Sequence, residues 1–400
     1  MADWIVQTHF DSLAELICQI SDRASALRAV AELDGLAIAD DESFAVAKDI
    51  LADPQTEEAV SAATLVAFEL QATTLYTGVL KLLYGQNPEF QNGVRSGLRL
   101  CNVKPIAAEL RRMADEVETP ARIAILDVLT FHRIPVQIDF QQLPKVEDPE
   151  VRFLLLESLG RSKNTNSVAT FFRDTDPKIR KAFWNAMARS GYPDIVNLCR
   201  RRCVQDQPCH DAIRFLGVIG SSDDFKLLLR LIMSDATAIP AVEAMGILGA
   251  TELIPTIIKA LGNPVTSQAA AVALERISGR GVPRNDPPPP PDHLTEDELD
   301  FWFHPGDPIP EAAETWWKQN HYYFETGKRY QAGRCVSDDP LGTVFDELPD
   351  EIRMDIYLRQ RALDSANTPD WELETWPKYH RNPAWASRQS PGHQNSRITS

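Results

Sequence analysis

The sequence lacks any long apolar run. Stretches such as Phe153-Leu154-Leu155-Leu156 are broken by charge almost at once, well short of the roughly 18 residues a membrane span needs. A membrane is therefore not the expected partner. The opening residues, Met1-Ala2-Asp3-Trp4, show no basic region followed by an apolar core, so no secretion signal is expected. Cysteine is sparse: six in 400 residues, at irregular spacings, make no disulfide framework. Reduced thiols in the cytoplasm are the default. Positive charge is in deficit, 41 basic against 57 acidic residues for a net −16. That balance argues against nucleic acid or anionic lipid as the main partner.

Motifs that carry chemistry are scarce as well. None of the eight histidines is followed by glutamate, so the His-Glu pairs by which helical-repeat hydroxylases hold iron are missing. The Arg200-Arg201-Arg202 run is local and does not make the basic cleft that a DNA glycosylase needs for phosphates. There is no Gly-x-Ser-x-Gly elbow and no phosphate-binding Gly-x-x-x-x-Gly-Lys-Ser/Thr loop. Gly78, Gly85, Gly93 and Gly97 are too scattered for a dinucleotide fingerprint. Cys199, Cys203, Cys209 and His210 are the best metal candidates, since thiolate and imidazole suit zinc and the i, i+4 pair shares a helical face. Their spacing is not the paired Cys-x-x-Cys of a closed site, and buried cysteines commonly serve as small apolar core residues. The expectation is a protein that is not an enzyme and carries no metal or cofactor.

What the sequence does have is a repeat. Glycines recur at Gly160, Gly191, Gly220, Gly249 and Gly279, at intervals of 31, 29, 29 and 30 residues. Before Gly220 the apolar positions are Ala212, Phe215, Leu216 and Ile219; before Gly249 they are Ala241, Ala244, Met245 and Leu248. Both sets follow i, i+3, i+4, i+7 spacing, which predicts one apolar stripe per helix. Ile179, Ala182, Phe183, Ala186 and Met187 do the same before Gly191. A glycine just past such a stripe suggests a left-handed C-cap. First helices of each pair are read at Val168–Phe172, Ile195–Leu198, Phe225–Ile232 and Leu253–Leu261. Asp148-Pro149, Asp176-Pro177 and Asn263-Pro264 read as helix starts, with Asp or Asn as N-cap and Pro where no N–H is needed.

These residues resemble HEAT and HEAT-like repeats. The fold expected is all-α, a HEAT-like α-solenoid of helix pairs, with an N-terminal helical region of degenerate repeats (1–100) and the array proper at 101–281. Stacked pairs share one core and leave an extended surface for protein or peptide.

The ends differ. Residues 282–292, with five consecutive prolines, read as a linker. Residues 293–385 hold six of the eight tryptophans, and between Asp292 and Glu351 there are 15 acids and 4 bases. Trp302, Trp316, Trp317, Tyr322, Tyr323 and Tyr330 form either a small core capping the array or a partner-binding patch. Leu341–Leu363 reads as a further helix with Glu351, Arg353 and Arg359 on its polar side, and 386–400 as a disordered tail.

The order Trp317, Tyr323-Phe324, Gly327-Lys328-Arg329-Tyr330, Gly333, then Leu341, Leu348 and Arg353, resembles the C-terminal part of an uncharacterised proteobacterial HEAT-repeat family often associated with type VI secretion systems. The N-terminal His9, Leu13–Ile20, Arg23 and Leu33-Asp34-Gly35-Leu36 are similar to the same family. The resemblance implies a cytoplasmic adaptor, effector chaperone or immunity-type protein. Its partner would be another protein, a secretion effector or spike component. The competing expectation is an enzyme or a metal- or ligand-binding protein on the same scaffold.

Overall fold

The computed structural model describes residues 2–18, 23–85, 87–136, 146–205, 209–289, 305–337, 340–342, 344–364 and 368. Apart from one two-residue hairpin, Tyr330–Gln331 with Arg334–Cys335, its regular structure is helical. The fold is all-α, as the periodicity predicts. No helix among the described residues is long and apolar enough to cross a membrane. The described residues form two compact units, one within 1–186 and one within 187–368.

The first unit begins with α1 (Ala2–Cys18), α2 (Arg23–Ile38), α3 (Asp40–Ala52), α4 (Glu57–Glu69), α5 (Thr73–Leu83) and α6 (Pro88–Leu100). It continues with α7 (Ala107–Glu116), α8 (Thr119–Phe131), α9 (Pro149–Arg161) and α10 (Thr165–Val168); the unit boundary falls inside α11 (Pro177–Ser190). Sequence-adjacent helices pack as pairs, and α4, α6, α8 and α9 follow one another in a layer. Helix starts are chemically marked. Thr56 caps α4 by accepting from the Ala59 amide, and Asn87 caps α6 by accepting from Glu89. Asp148 and Asp176 each accept two amides ahead of the proline-led helices α9 and α11. The repeated pattern also sets Glu150 beside Lys178, equivalent positions 28 residues apart, at 2.5 Å.

A buried charge network ties three helices of that layer together. Asp127 of α8 is fully buried and accepts from Arg99 of α6 at 2.7 and 3.0 Å, from Arg161 of α9 at 2.8 Å, and from Arg95 of α6 at 3.4 Å. Arg161 also bonds Glu157 at 3.1 Å. The Phe131 ring lies beneath Arg99 and Arg161, 5.2 and 5.5 Å from their guanidinium carbons. Each helix supplies an i, i+4 pair (Arg95/Arg99, Asp127/Phe131, Glu157/Arg161), the spacing that puts two side chains on one face. Burial alone would raise the Asp127 carboxyl, but the three guanidiniums overcome it and hold it at about 2. Next to it, burial lowers His132 to about 4, against the pull of the hydrogen bond its ring donates to the Leu98 carbonyl.

The second unit holds α12 (Ile195–Cys203), α13 (His210–Ile219), α14 (Phe225–Leu231), α15 (Asp235–Leu248), α16 (Ile254–Leu261) and α17 (Ser267–Ser278). Helices α13, α15 and α17 pack in succession, with α12, α14 and α16 paired to them. The contact between neighbouring second helices is made by glycine against alanine. A Cβ on Gly217 would lie 2.8 Å from the Ala244 Cα, and one on Gly246 2.7 Å from the Ala273 Cα. Backbones this close leave no room for any side chain.

The glycine period has more than one cause. Gly249 and Gly279 end α15 and α17 in the left-handed region, with φ of 68° and 69°, as the C-cap reading expects. Gly191 is also left-handed. Gly220 is not: its φ is −66°, and the limit there is the Leu216 carbonyl crowding the site of a Cβ. Gly160 lies within α9, pressed against Ala186. Shared spacing thus hides three kinds of steric demand: left-handed backbone, crowding by a carbonyl of the same helix, and close approach of a second helix.

Two expectations follow. Gly246→Val forces a branched side chain into the α15–α17 contact and lowers urea-unfolding stability by about 2 kcal/mol or more. Acid should weaken the first unit in two stages. Because the folded pKa of His132 lies below its ordinary 6.5, the unfolded chain takes up that proton first, and stability falls between pH 6.5 and about 4. The depressed Asp127 adds a second loss between 3.8 and about 2. His132→Gln should flatten the upper limb of a thermal-unfolding pH profile. Asp127→Asn should lower the plateau at pH 7 by about 3 kcal/mol, since it leaves three guanidiniums facing a neutral group.

Candidate partner-binding surface

An α-helix leaves its last four carbonyls without intrahelical partners. In the second unit, the chain beyond residue 305 supplies partners for these groups. At α17, the Ala332 and Gly333 amides donate to the carbonyls of Arg276 and Ile277 at 2.6 and 2.9 Å. At α15, Arg329 Nε donates to Leu248 at 2.5 Å, Gln331 Nε2 donates to Gly246 and Ile247 at 3.0 and 2.9 Å, and the Tyr330 amide donates to Gly249 at 2.8 Å. At α13, Arg359 donates to Gly220 at 2.5 Å and Val218 at 3.2 Å. Arg361 does the same for Arg189 in the last turn of α11, at 3.0 Å. Cations at helix C-termini also meet the negative end of each macrodipole.

This C-terminal strap contains α18 (Pro310–Asn320), the hairpin, and α19 (Asp350–Leu363). Its start is tied down just past the repeats. Residues 283–285 bridge to 307–309 through the Asn285 amide to Asp307 and the Ile309 amide to Pro283. Arg276 of α17 bonds both Gln331 Oε1 (2.7 Å) and Asp355 of α19 (2.6 Å). Arg353 and Arg359, expected on the solvated side of the last helix, instead turn inward: Arg353 is 5% exposed and Arg359 is half-buried. Their targets are Asp350 for Arg353 and backbone carbonyls for Arg359.

On this strap sits a graded aromatic cluster. Tyr330 is its root: only 6% exposed, its hydroxyl accepts from the Glu325 amide and donates to the Tyr323 carbonyl. Phe324 packs on Tyr330 at 4.8 Å and on Trp317 and Trp316 at 5.6 and 5.9 Å. Trp316 and Trp317 are half-buried on α18. Outermost are Tyr322 and Tyr323, 65% and 64% exposed, their ring centroids 4.1 Å apart. His321 lies between Trp317 and Tyr322. The structure therefore brings five of the six expected contact residues together and divides them: Tyr330 supports, Tyr322 and Tyr323 present, and the tryptophans join the two. Trp302 lies outside the described residues.

Two of the four metal candidates lie in the core. Cys199 and Cys203 are fully buried, and the Cys199 thiol donates to the Ala212 carbonyl at 2.9 Å. Burial, with Cys203 beside it, pushes the Cys199 thiol well above its ordinary value. Cys209 is half-buried ahead of α13, and His210 is exposed. Among the described residues no group of three or more His, Cys, Asp or Glu is placed to hold a metal.

The residues that sequence reasoning did not single out are Arg276, Arg329, Gln331 and Asp355. Arg329 stood inside a quoted motif, but its partners are main-chain carbonyls, which leave no mark in a sequence. Comparison of the chain with family models, curated proteins and solved structures returns no match.

Arg329→Met removes the donor from the α15 terminus and should cost about 2 kcal/mol in chemical denaturation. Arg334→Met, whose ion pair with Glu347 is 60% and 57% exposed, should change stability by less than about 0.5 kcal/mol.

Proposed function

We propose that this protein is a non-catalytic scaffold that captures another protein, and that Trp317, His321, Tyr322 and Tyr323 form the point of contact. The observation that carries this reading is the exposed Tyr322–Tyr323 pair on a rooted aromatic base. Two rings held mostly in water are unfavourable for the free protein, and anchoring through Phe324 and Tyr330 reduces the ordering cost of binding. Tyrosine and tryptophan in such settings are typical interface hot spots. Exposed Glu311, Glu314 and Glu325 share the segment, which favours a partner surface carrying arginine or lysine to meet both carboxylates and ring faces. The resemblance to type VI-associated HEAT-repeat proteins supports a cytoplasmic accessory role, with an effector or a spike component as the captured protein.

The test is affinity purification of the full chain and of Tyr322→Ala/Tyr323→Ala from the native host. Because both side chains are exposed, the double variant should unfold within about 0.5 kcal/mol of the parent. The expected outcome is a stoichiometric protein partner on the parent that is lost from the variant. A parent that brings down no such partner, or a variant that retains it in full, contradicts the reading.

A further inference from the structure

The aromatic ledge formed by Trp317, His321, Tyr322 and Tyr323 narrows the ways in which a partner chain can be gripped. Strand addition is disfavoured: each strand of the hairpin is two residues long, and the amides of Tyr330, Ala332 and Gly333 are already given to the carbonyls of Gly249, Arg276 and Ile277. A partner helix lays its apolar face into a groove, whereas Tyr322 and Tyr323 stand out of the surface at 65% and 64% exposure. What the ledge offers is a strip of rings. Ring centroids step from Trp317 to His321 by 6.1 Å, on to Tyr322 by 6.2 Å and on to Tyr323 by 4.1 Å.

Exposed carboxylates accompany the strip. Glu311 and Glu314 precede Trp317 on α18, and Glu325 follows Tyr323 by two residues. Glu252, also exposed, accepts the Gly327 amide at 2.8 Å. Glu314 has the exposed Lys318 at 3.8 Å.

We propose that the ledge takes a proline-rich segment of a partner protein, in the polyproline conformation and flanked by arginine or lysine; this rests on the ledge being the point of protein capture. A polyproline helix is already extended and stiff when free, so a shallow strip can hold it without a large ordering cost. Proline has no N–H, and laying its ring on an aromatic face therefore strands no donor. Its carbonyls stay available to the tyrosine hydroxyls. Basic flanks then meet the carboxylates beside the rings.

This chain carries a proline run of its own, with Pro287, Pro288 and Pro289 exposed. Its five prolines are bounded by Asp286 and Asp292. Acid at both ends sets that run against the carboxylates of the ledge, which favours a foreign, base-flanked segment over a second copy of this chain.

The experiment is calorimetric titration of the full chain with capped peptides of equal length. One has six prolines with arginine at each end, one the same prolines with aspartate at each end, and one alternating glycine and serine with arginine at each end. Saturable binding of the first is expected, weakened by roughly tenfold or more in Tyr322→Ala/Tyr323→Ala through the loss of hot-spot rings. The aspartate-ended peptide should bind more weakly than the arginine-ended one. No binding of the arginine-ended proline peptide, equal binding of the glycine–serine peptide, or binding that the double variant retains overturns the proposal. Tighter binding of an arginine-bearing amphipathic helical peptide assigns the ledge to a helix, and self-association in light scattering that the double variant abolishes assigns it to a second copy; either result overturns it. A host protein held through Tyr322 and Tyr323, with no binding of the proline peptide, refutes this inference and leaves capture intact. Ledge-dependent peptide binding with no host partner recovered counts against capture and upholds the peptide specificity.

Discussion

Unpartnered carbonyls at helix ends govern the architecture of the second unit. Each of α13, α15 and α17 stops with acceptors that its own backbone cannot serve, and the strap meets them with arginine, glutamine and main-chain N–H groups. A buried acceptor left without a donor costs on the order of 1–3 kcal/mol. Several such groups in a row make the strap part of the fold. The aromatic ledge inherits its rigidity from this arrangement, because Tyr330 is fixed by its backbone to Gly249 and by its hydroxyl to the Tyr323–Glu325 turn. Arg276, Arg329 and Arg359 lie close together for the same cause, as guanidiniums are drawn to neighbouring helix ends.

Charge is sorted by the same geometry. The segment from 292 to 351 is strongly acidic in composition, yet Arg329 and, just beyond it, Arg353 and Arg359 are directed inward. Their guanidiniums are directed to backbone carbonyls and to Asp350. The first unit solves a related problem differently. There, one buried carboxylate gathers three guanidiniums across α6, α8 and α9, and a phenylalanine ring fills the space beneath them.

Much of the helical order was legible in the sequence because it is local. Asp148-Pro149 and Asp176-Pro177 announce helix starts through contacts two and three residues away, and the apolar stripes before Gly220 and Gly249 mark their helices directly. The glycine period was legible as spacing but not as mechanism, since a left-handed cap at Gly249 and a backbone collision at Gly160 look alike in one dimension. The aromatic group was legible only as either a capping core or a partner patch; that Tyr322 and Tyr323 are exposed and Tyr330 is buried was not. The environment of Tyr330 is set by a carbonyl 81 positions upstream of it. The inward turn of Arg329 and Arg359 was hidden for the same reason: they reach acceptors 81 and 139 residues away in sequence, and those acceptors are main-chain atoms that every residue type carries.

Hydrogen exchange on the full chain, read by mass spectrometry at single-amide resolution, tests the dependence of the second unit on its strap most directly. If the strap is integral, the amides of Tyr330, Ala332 and Gly333 exchange in the same slow, cooperative phase as the C-terminal turns of α15 and α17. Rapid exchange of those three amides while α15 and α17 stay protected would contradict it, showing a segment that merely rests on a self-sufficient array.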